Sequence, residues 1–360
     1  MSIAILTSGV ALGVHVPGLL LARRLAEAGV PSRVDVLQNL MSGRQLAKVP
    51  ATKIAFHRDF RFALAGTRLA NRNAAELDPA AVEQLLADWA AADIDLFVIL
   101  SGFWVPVAYR YAAAHPGTRV HACHVDSMIS PSFTAAVSRP APEHEHVGHR
   151  DVWLLEERNG SVARTIPVSR ADPVPWPERT GRLLAHGGGW GMGTYLTDAE
   201  ALITRGFGLD IVTHEPGDLT SGGDGRRYFM IDPNWQPWQD TGFPPFGLVG
   251  PDGHVDYRRG PDHHDGFHLV RQAHAVVTKP GGGTLMDSLA AATPIVLLEP
   301  FGEHEAHNAR LWERLGFGIA YDDWARDGYS RSTLEELHRN LLAARPRVVS
   351  YADELAGNAG

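Results

Sequence analysis

The chain has 360 residues, of which 44% are hydrophobic and 21% charged, and its formal net charge is −8. This length suits two domains of about 150–200 residues each, and the negative charge, without any basic block, argues against a nucleic-acid partner. No apolar run approaches the about 20 residues of a transmembrane segment, and the single cysteine, Cys123, excludes an intramolecular disulfide. Because the first residues read as a strand without a basic leader, we expect a soluble cytoplasmic protein.

The first half of the chain alternates short apolar runs with helical segments, a pattern typical of parallel sheets covered on both faces. A helix through Leu19 and Ala26, ended by Gly29, follows the first strand and gives one βαβ unit. Cys123 follows the fourth apolar run and is interpreted as a core residue rather than a nucleophile. The predicted strands are Ile3–Leu6, Val34–Leu37, Phe97–Leu100, Arg119–Ala122 and Val152–Leu155.

A second sheet is predicted after residues 173–177, where three prolines in five residues cannot continue a helix or a central strand. Its first strand, Arg182–Ala185, runs into the glycine-rich turn 187–193, and a further helix follows. The sequence therefore predicts a first domain over residues 1–172, a second over 181–345, and a tail over 346–360 that crosses back to the first.

The segment Ala275–Ala309 carries the strongest chemical signal. Its first strand, Ala275–Val277, precedes a turn whose backbone N–H groups are not shielded by side chains. Thr284 is suited to cap the helix that comes next. A helix N-terminus presents free N–H groups and the positive end of the helix dipole, so this turn predicts an anion site with a phosphate as its occupant. The turn consists of Gly281, Gly282, Gly283 and Thr284.

A buried strand, Pro294–Pro300, and a helix starting near Glu303 complete that segment. In this order it resembles the donor-sugar segment of GT-B glycosyltransferases, in which a His-Gly-Gly-x-Gly-Thr turn, an acidic residue, a strand and an Asp-Gln-x-x-Asn-Ala helix start follow one another. Lys279 stands where many members have His, and His304 and Glu305 stand where they have Asp-Gln. The chain is similar in style to the lipid-linked amino-sugar transferases and the antibiotic glycosyltransferases.

The resemblance implies an α/β protein with the GT-B fold, in which two Rossmann-like βαβ domains face each other across a cleft. It also implies a nucleotide-sugar donor, in the first place a UDP-sugar, and no other cofactor. The implied donor contacts are Gly188, Gly189, Trp190, Gly191, Gly281, Gly282, Gly283, Thr284 and Lys279 for the diphosphate, Asp287 for the ribose, His304 and Glu305 for the transferred sugar, and Val255 and Tyr257 for the nucleotide base.

Each of these assignments has an alternative that involves no ligand. The turn 187–193 is also consistent with a tight turn alone, because one glycine cluster is weak evidence. Asp287 is also consistent with an exposed residue favoured by the helix dipole. His304 and Glu305 are also consistent with a solvated first helical turn, and Asn308 is expected to brace that helix rather than to contact ligand.

The first domain is expected to supply the catalytic residues. The run Gly13–Leu20 resembles the Gly-His-x-x-Pro segment of glycosyltransferases, with Pro17 one residue out of step. The resemblance places His15 in the loop after the first strand as the base that deprotonates the acceptor, since imidazole has a pKa near neutral. Asp126 is implied as the residue that orients this base, with His124 as a rival. The stretch Pro131–His149 is predicted to be an acceptor-side loop.

Three polar clusters are left without a function. Residues 143–146 and 262–265 with His268 contain possible metal ligands, but neither has a helical His pair with a defined partner, so polar loops are the expected structures. Asp93 and Asp95 match the Asp-x-Asp motif of metal-dependent glycosyltransferases, yet they lie far in sequence from the two glycine turns predicted to bind phosphate. We therefore expect no bound metal.

Together these features predict an inverting, metal-independent glycosyltransferase that moves a sugar from a nucleotide-diphosphate donor to a small-molecule or lipid-like acceptor. Two alternatives stay open. One is a sugar-nucleotide epimerase of the same fold, and the other is a non-catalytic protein that binds the nucleotide sugar. A Rossmann dehydrogenase is disfavoured, because Gly9, Gly13 and Gly18 do not have the Gly-x-Gly-x-x-Gly spacing.

Overall fold

The structure, a computed structural model, describes residues 1–10, 12–70, 77–137, 147–220 and 225–358. Its first sheet has five parallel strands in the order β2-β1-β3-β4-β5, so that the chain reverses its direction of travel between β1 and β3. All five lie close to the predicted apolar runs. They are β1 (Ile3–Thr7), β2 (Ser32–Val36), β3 (Leu96–Ile99), β4 (Arg119–His124) and β5 (Arg150–Trp153).

Helices cover both faces of this sheet and also lie over its carboxyl edge. Four of them lie between β2 and β3, in a part of the chain for which the sequence predicted no element. The helices are α1 (Leu12–Glu27), α2 (Gly43–Leu46), α3 (Val49–Arg58), α4 (Phe60–Ala70), α5 (Pro79–Ala91), α6 (Val105–Ala114) and α7 (Pro131–Val137). Part of the predicted loop 131–149 is thus helical, whereas its remainder at 138–146, with the Glu143–His146 cluster, lies outside the described residues.

Three short strands, β6 (Glu157–Arg158), β7 (Ser161–Val162) and β8 (Arg164–Thr165), lead to a second sheet in the order β12-β11-β10-β9-β13-β14-β15, in which only β12 is antiparallel. Its strands are β9 (Leu183–His186), β10 (Leu209–Thr213), β11 (Arg226–Ile231), β12 (Phe246–Leu248), β13 (Ala275–Thr278), β14 (Ile295–Leu297) and β15 (Gly318–Ala320). Its helices are α8 (Tyr195–Thr204), α9 (Gly266–Gln272), α10 (Gly282–Ala291), α11 (Glu303–Arg314), α12 (Tyr321–Arg326) and α13 (Arg331–Ala344).

The last described segment lies against the first sheet. Strand β16 (Val349–Ser350) pairs with β8, and helix α14 (Tyr351–Gly357) packs on α1. The Tyr351 hydroxyl is 2.8 Å from Nδ1 of His121 on β4, and Arg164 forms an ion pair with Glu354 at 2.8 Å. These contacts hold the last described residues against the first sheet.

The interior is apolar and continuous between the two sheets. One hydrophobic cluster contains Ile5 of the first sheet and Val276 of the second, together with Leu20 of α1 and Met286 of α10. Cys123 is fully buried within it, as predicted, and burial raises the pKa of its thiol to about 12. In the part of the chain that the structure describes, no helix is both long and apolar enough to cross a bilayer.

Candidate active site

A cleft of about 1190 Å³ opens between the two sheets, at the carboxyl ends of their strands. Ligands of doubly wound sheets bind at this edge because strand order reverses there and helix N-termini point into the opening. Residues from both halves of the chain line the cleft. Its polar walls include Ser101, His124 and Asp126 from the first sheet, and His186, His264, Lys279, Asp287, His304 and Glu305 from the second.

The second glycine turn has the geometry of an anion site. Gly281 is the N-cap of α10, and the first helical hydrogen bond runs from the N–H of Leu285 to the Gly281 carbonyl. The N–H groups of residues 282–284 precede that bond and donate to no other described residue, so they are free for a ligand. All four residues of the turn line the cleft, although the N-cap is Gly281 and not Thr284.

Lys279 lies between the two glycine turns. Its Nζ is 3.5 Å from where a Cβ on Gly188 would be and 3.8 Å from the same point on Gly281. Nζ also forms a buried ion pair of 2.6 Å with Glu305, whose second carboxylate oxygen accepts the N–H of Phe301 at 2.7 Å. Lys279 is therefore a fixed cation that faces the cleft with its charge partly balanced.

Asp287 contacts a histidine that the sequence analysis had left in a polar loop. His264 Nε2 is 3.1 Å from Asp287 Oδ1, and both residues line the cleft. Burial alone would lower the pKa of His264, but the adjacent Asp287 carboxylate outweighs it and the pKa is raised. These residues are 23 positions apart in different elements, so no local pattern in the sequence could have paired them.

The first glycine turn is packed between the domains. Of the four residues predicted to contact the diphosphate here, Gly188, Gly189 and Trp190 line the cleft and Gly191 does not. Gly191 has a left-handed φ of 63°, and its carbonyl accepts a hydrogen bond from Nδ1 of His57 at 2.6 Å. A side chain on Gly189 would overlap Leu12, with the new Cβ 2.5 Å from the Leu12 Cβ. At these two positions glycine is needed for close approach of the first domain.

Asp126 lies where the two domains meet. Its Oδ1 accepts a hydrogen bond from Asn308 Nδ2 at 2.8 Å, and the same amide donates to the Pro280 carbonyl at 3.0 Å. Asn308 Oδ1 in turn accepts the N–H of Ser127 at 2.8 Å. Burial raises the pKa of Asp126. Asn308 thus braces the interface between the domains, and it leaves Asp126 Oδ2 without a hydrogen bond to any described residue.

His15 does not occupy the predicted loop. Helix α1 begins at Leu12, so His15 and Pro17 both lie within it. His15 is fully buried and is absent from the cleft wall; its Nδ1 is 3.0 Å from the Thr7 hydroxyl, and burial lowers its pKa to about 4. Val14, one residue earlier, faces the cleft instead. The one-residue offset of Pro17 thus turns the imidazole about 100° around the helix, away from the opening.

The two residues predicted to contact the nucleotide base lie outside the cleft wall. Val255 and Tyr257 do not line the cleft; Val255 pairs with Val249 in an isolated bridge beside β12. Ile231 and Phe246 are among the apolar second-domain residues that do line the cleft. Asp93 and Asp95 lie outside the cleft, and among the described residues no cluster of His, Cys, Asp and Glu could hold a metal ion.

Solved structures show the same architecture over the full chain. Glycosyltransferase SsfS6 of Streptomyces sp. SF2575, in complex with thymidine diphosphate, has a TM-score of 0.63 and 17% identity, covering 100% of this chain and 99% of that one. Spinosyn rhamnosyltransferase SpnG with thymidine diphosphate has a TM-score of 0.56 and 13% identity, with 99% and 100% covered. MurG of Acinetobacter baumannii has a TM-score of 0.55 and 12% identity, with 99% and 98% covered.

The chain has the GT-B fold. The predicted fold class, two Rossmann-like domains across a cleft, is thereby confirmed. No protein-family model matches the chain, and no curated protein matches its sequence.

One wall of this GT-B cleft was missed by the sequence analysis. Lys48, Thr52 and Phe56 of the α2–α4 region line the opening, and the Phe56 ring is 5.8 Å from that of Trp190. The signal that could have found these helices is Pro50 near the start of α3 followed by apolar residues at helical spacing.

Proposed function

We propose that the protein transfers a sugar from a nucleotide-diphosphate donor to an acceptor bound in the same cleft. The observation that carries this proposal is the free helix N-terminus at residues 282–284, with Lys279 beside it. Three free N–H groups at a helix N-terminus and an ammonium group close to the same turn suit the two phosphates of a nucleotide sugar. Asp287, one turn further along α10, also lines the cleft and is proposed to accept hydrogen bonds from the ribose.

The nucleoside of the donor is proposed to be thymidine or uridine. SsfS6 and SpnG are both described in complex with thymidine diphosphate, which adds TDP-sugars to the UDP-sugars expected from the sequence. The transferred sugar is proposed to lie between the diphosphate and Asp126, where His304 and Glu305 of the second domain line the cleft. Because both oxygens of Glu305 already accept a hydrogen bond, His304 is the less constrained of the two.

The acceptor is proposed to be a small or lipid-like apolar molecule that carries a hydroxyl group. The first-domain wall of the cleft is largely apolar. Burial of apolar surface between this wall and an apolar acceptor contributes about 25 cal/mol per Å² to the binding free energy. The apolar residues of this wall include Val10, Leu12, Val14, Val16, Leu20, Val49, Phe56, Leu64, Phe103, Met128 and Phe133.

The reaction is proposed to be a direct displacement that inverts the anomeric centre and needs no metal ion. The acceptor oxygen attacks the anomeric carbon as the bond to the diphosphate oxygen breaks. The negative charge that develops on the leaving diphosphate is stabilised by the N–H groups of the α10 N-terminus and by Lys279. These groups are already in place, so the leaving group needs no reorganisation of the protein.

The test is to incubate the protein with UDP- and TDP-sugars, first alone and then with a panel of apolar hydroxylated acceptors, in excess EDTA. We expect release of nucleoside diphosphate and a new glycoside only when an acceptor is present. A new sugar nucleotide formed without an acceptor would indicate an epimerase, and tight binding without any product would indicate a non-catalytic binding protein. Activity lost in EDTA and restored by Mg²⁺ would contradict metal independence.

A further inference from the structure

His124 lies at the acceptor side of the cleft and is held by a carboxylate. It is the last residue of β4, and its Nε2 is 2.8 Å from Oδ1 of Asp151 on the adjacent strand β5. The imidazole stacks on Trp153 with ring centroids 4.1 Å apart and meets the edge of Phe133 at 4.7 Å. The side chain is only 3% exposed, whereas that of Asp151 is 51% exposed.

The partner of Nε2 decides the tautomer of this imidazole. An ionised carboxylate only accepts hydrogen bonds, so a neutral His124 must carry its proton on Nε2. Its Nδ1 then has a free lone pair. Nδ1 is buried and has no hydrogen-bond partner, although His124 lines the cleft beside Phe103 and Ser132. A buried nitrogen that can only accept a hydrogen bond and has no donor is costly unless a ligand supplies one.

The protonation state suits a base. Burial lowers the pKa of His124, and the charges of Asp151 and Asp126 oppose this only in part, with His149 acting in the same direction as burial. The imidazole is therefore neutral at neutral pH. Asp151 remains accessible to water and can stabilise the imidazolium once a proton arrives, as the carboxylate of a catalytic triad does.

We infer that His124 is the catalytic base of the proposed transfer, accepting the proton of the acceptor hydroxyl on Nδ1, and that Asp151 is its positioning residue. This inference rests on the proposed function. The acceptor O–H bond breaks as its oxygen bonds to the anomeric carbon, the bond from that carbon to the diphosphate oxygen breaks, and the proton stays on Nδ1. The imidazolium then releases a proton to water. His124 thus takes the role that the sequence assigned to His15.

The same arrangement defines the class of acceptor. The ring of Phe133 is 4.7 Å from the imidazole of His124, and Phe103 lines the same cleft. A flat aromatic molecule with a phenolic or enolic hydroxyl suits this aromatic lining, and its O–H is more acidic than that of an alcohol. We therefore use 2-naphthol as the probe acceptor.

The first experiment measures which nitrogen of the His124 imidazole carries the proton. The wild-type protein, labelled with ¹⁵N in histidine, is titrated with 2-naphthol, and the His124 signals are assigned by their loss in His124→Gln. We expect Nδ1 to be unprotonated and its resonance to move when 2-naphthol is added, while that of His15 stays fixed. In Asp151→Asn the amide can donate to Nε2, so we expect the proton to shift to Nδ1. A protonated Nδ1 in the wild type would overturn the inference.

The second experiment measures transfer from TDP-glucose and UDP-glucose to 2-naphthol. We expect His124→Gln to lower kcat by about 10²- to 10⁴-fold, and Asp151→Asn by at least about 10-fold, with the Kd for TDP unchanged in both. His149→Gln, which removes a second imidazole 3.5 Å from Asp151, is the matched control and should stay within about 3-fold of wild type.

The outcomes separate this inference from the proposed function. A His124→Gln protein that keeps the wild-type kcat, with activity lost in Asp126→Asn, would assign the base to Asp126 and overturn the inference while the proposed function stands. A wild-type protein that transfers sugar to no acceptor would overturn the proposed function and the catalytic role together. In that case the Nδ1 resonance still shows whether His124 binds a hydroxyl.

Discussion

The two glycine turns of the second domain have similar sequences but different uses of glycine. In the turn 187–193, the N–H of Gly191 donates to the Gly188 carbonyl at 3.1 Å and that of Met192 to the Gly187 carbonyl at 2.9 Å, so two of its N–H groups are used within the turn. In the turn 281–284, the N–H groups are free and face the cleft. The comparison shows that glycine in the first turn allows close approach of first-domain side chains, to Gly189 and Gly191, whereas glycine in the second turn leaves N–H groups unshielded at a helix N-terminus.

The strongest test of this difference removes one N–H group from the second turn. Proline is tolerated in the first turn of a helix, and a Cβ on Gly283 would meet only ordinary contacts, the nearest 3.5 Å away at Gly13. We expect Gly283→Pro to weaken TDP binding by about 100-fold, through loss of a charge-assisted hydrogen bond and obstruction of the site. Calorimetry gives the Kd. Gly283→Ala, which keeps the N–H, is the control and should bind nearly as wild type.

A smaller effect is expected when the cation between the turns is removed. Lys279→Met should weaken TDP by about 10- to 50-fold, because a full charge beside the diphosphate is lost and Glu305 is left unpaired. Binding of thymidine, which has no phosphate, should hardly change. Lys48→Met removes an exposed ammonium from another wall of the same cleft and serves as the control. Equal losses for TDP and thymidine would assign Lys279 a structural role.

The first turn should respond in stability rather than in affinity. A Cβ on Gly191 would be 2.3 Å from His214 and 2.6 Å from His57, at a left-handed φ. We expect Gly191→Ala to lower the free energy of unfolding by about 1–2 kcal/mol, while the Kd for TDP changes less than about 3-fold. Denaturant unfolding and calorimetry measure the two quantities. Gly193 has a φ of 112° and open space around the position of a Cβ. Gly193→Ala is therefore the control that measures the cost of the backbone conformation without a steric overlap.

The smallest effect concerns the charge of His57 beside the first turn. Its two ring nitrogens face acceptors only, the Gly191 carbonyl and Asp218 Oδ1 at 2.8 Å, so the bonded imidazole is protonated. Burial opposes this charge, but Asp218 outweighs it and the pKa of His57 is raised. A raised pKa means that the contribution to stability is full below about pH 6.5 and is lost as pH rises through the folded value.

We therefore expect the free energy of unfolding to fall by up to about 1 kcal/mol as pH rises from about 6 to about 8, and this slope to disappear in Asp218→Asn. Glu215→Gln breaks the neighbouring ion pair with Arg58 and removes only the smallest of the contributions that raise the pKa of His57, so it should keep most of the slope. A slope that survives in Asp218→Asn would mean that another group titrates.

What the sequence could predict depended on whether the signal was local. The strands β1–β5, β9, β13 and β14 and the 281–284 turn lie where the sequence predicted them, because apolar runs and a glycine cluster before a helix are readable within a dozen residues, whereas β10, β11, β12 and β15 were not predicted. The direction of His15 was not, because a one-residue offset within α1 turns a side chain to another face of the helix. The pairs His264–Asp287 and His124–Asp151 join residues 23 and 27 positions apart, and only strand order and loop packing bring them together.

Helix α14 has a consequence for how the protein is made. Its Tyr351 is fully buried against the first sheet through His121, and α14 packs along α1. A ribosome releases the chain from its N-terminus onwards, and domains generally fold as they emerge. Here the second sheet, complete at residue 320, is synthesised before residues 351–357 exist. We therefore expect the half of the molecule that is translated first to keep an uncovered apolar face until residues 351–357 have been synthesised.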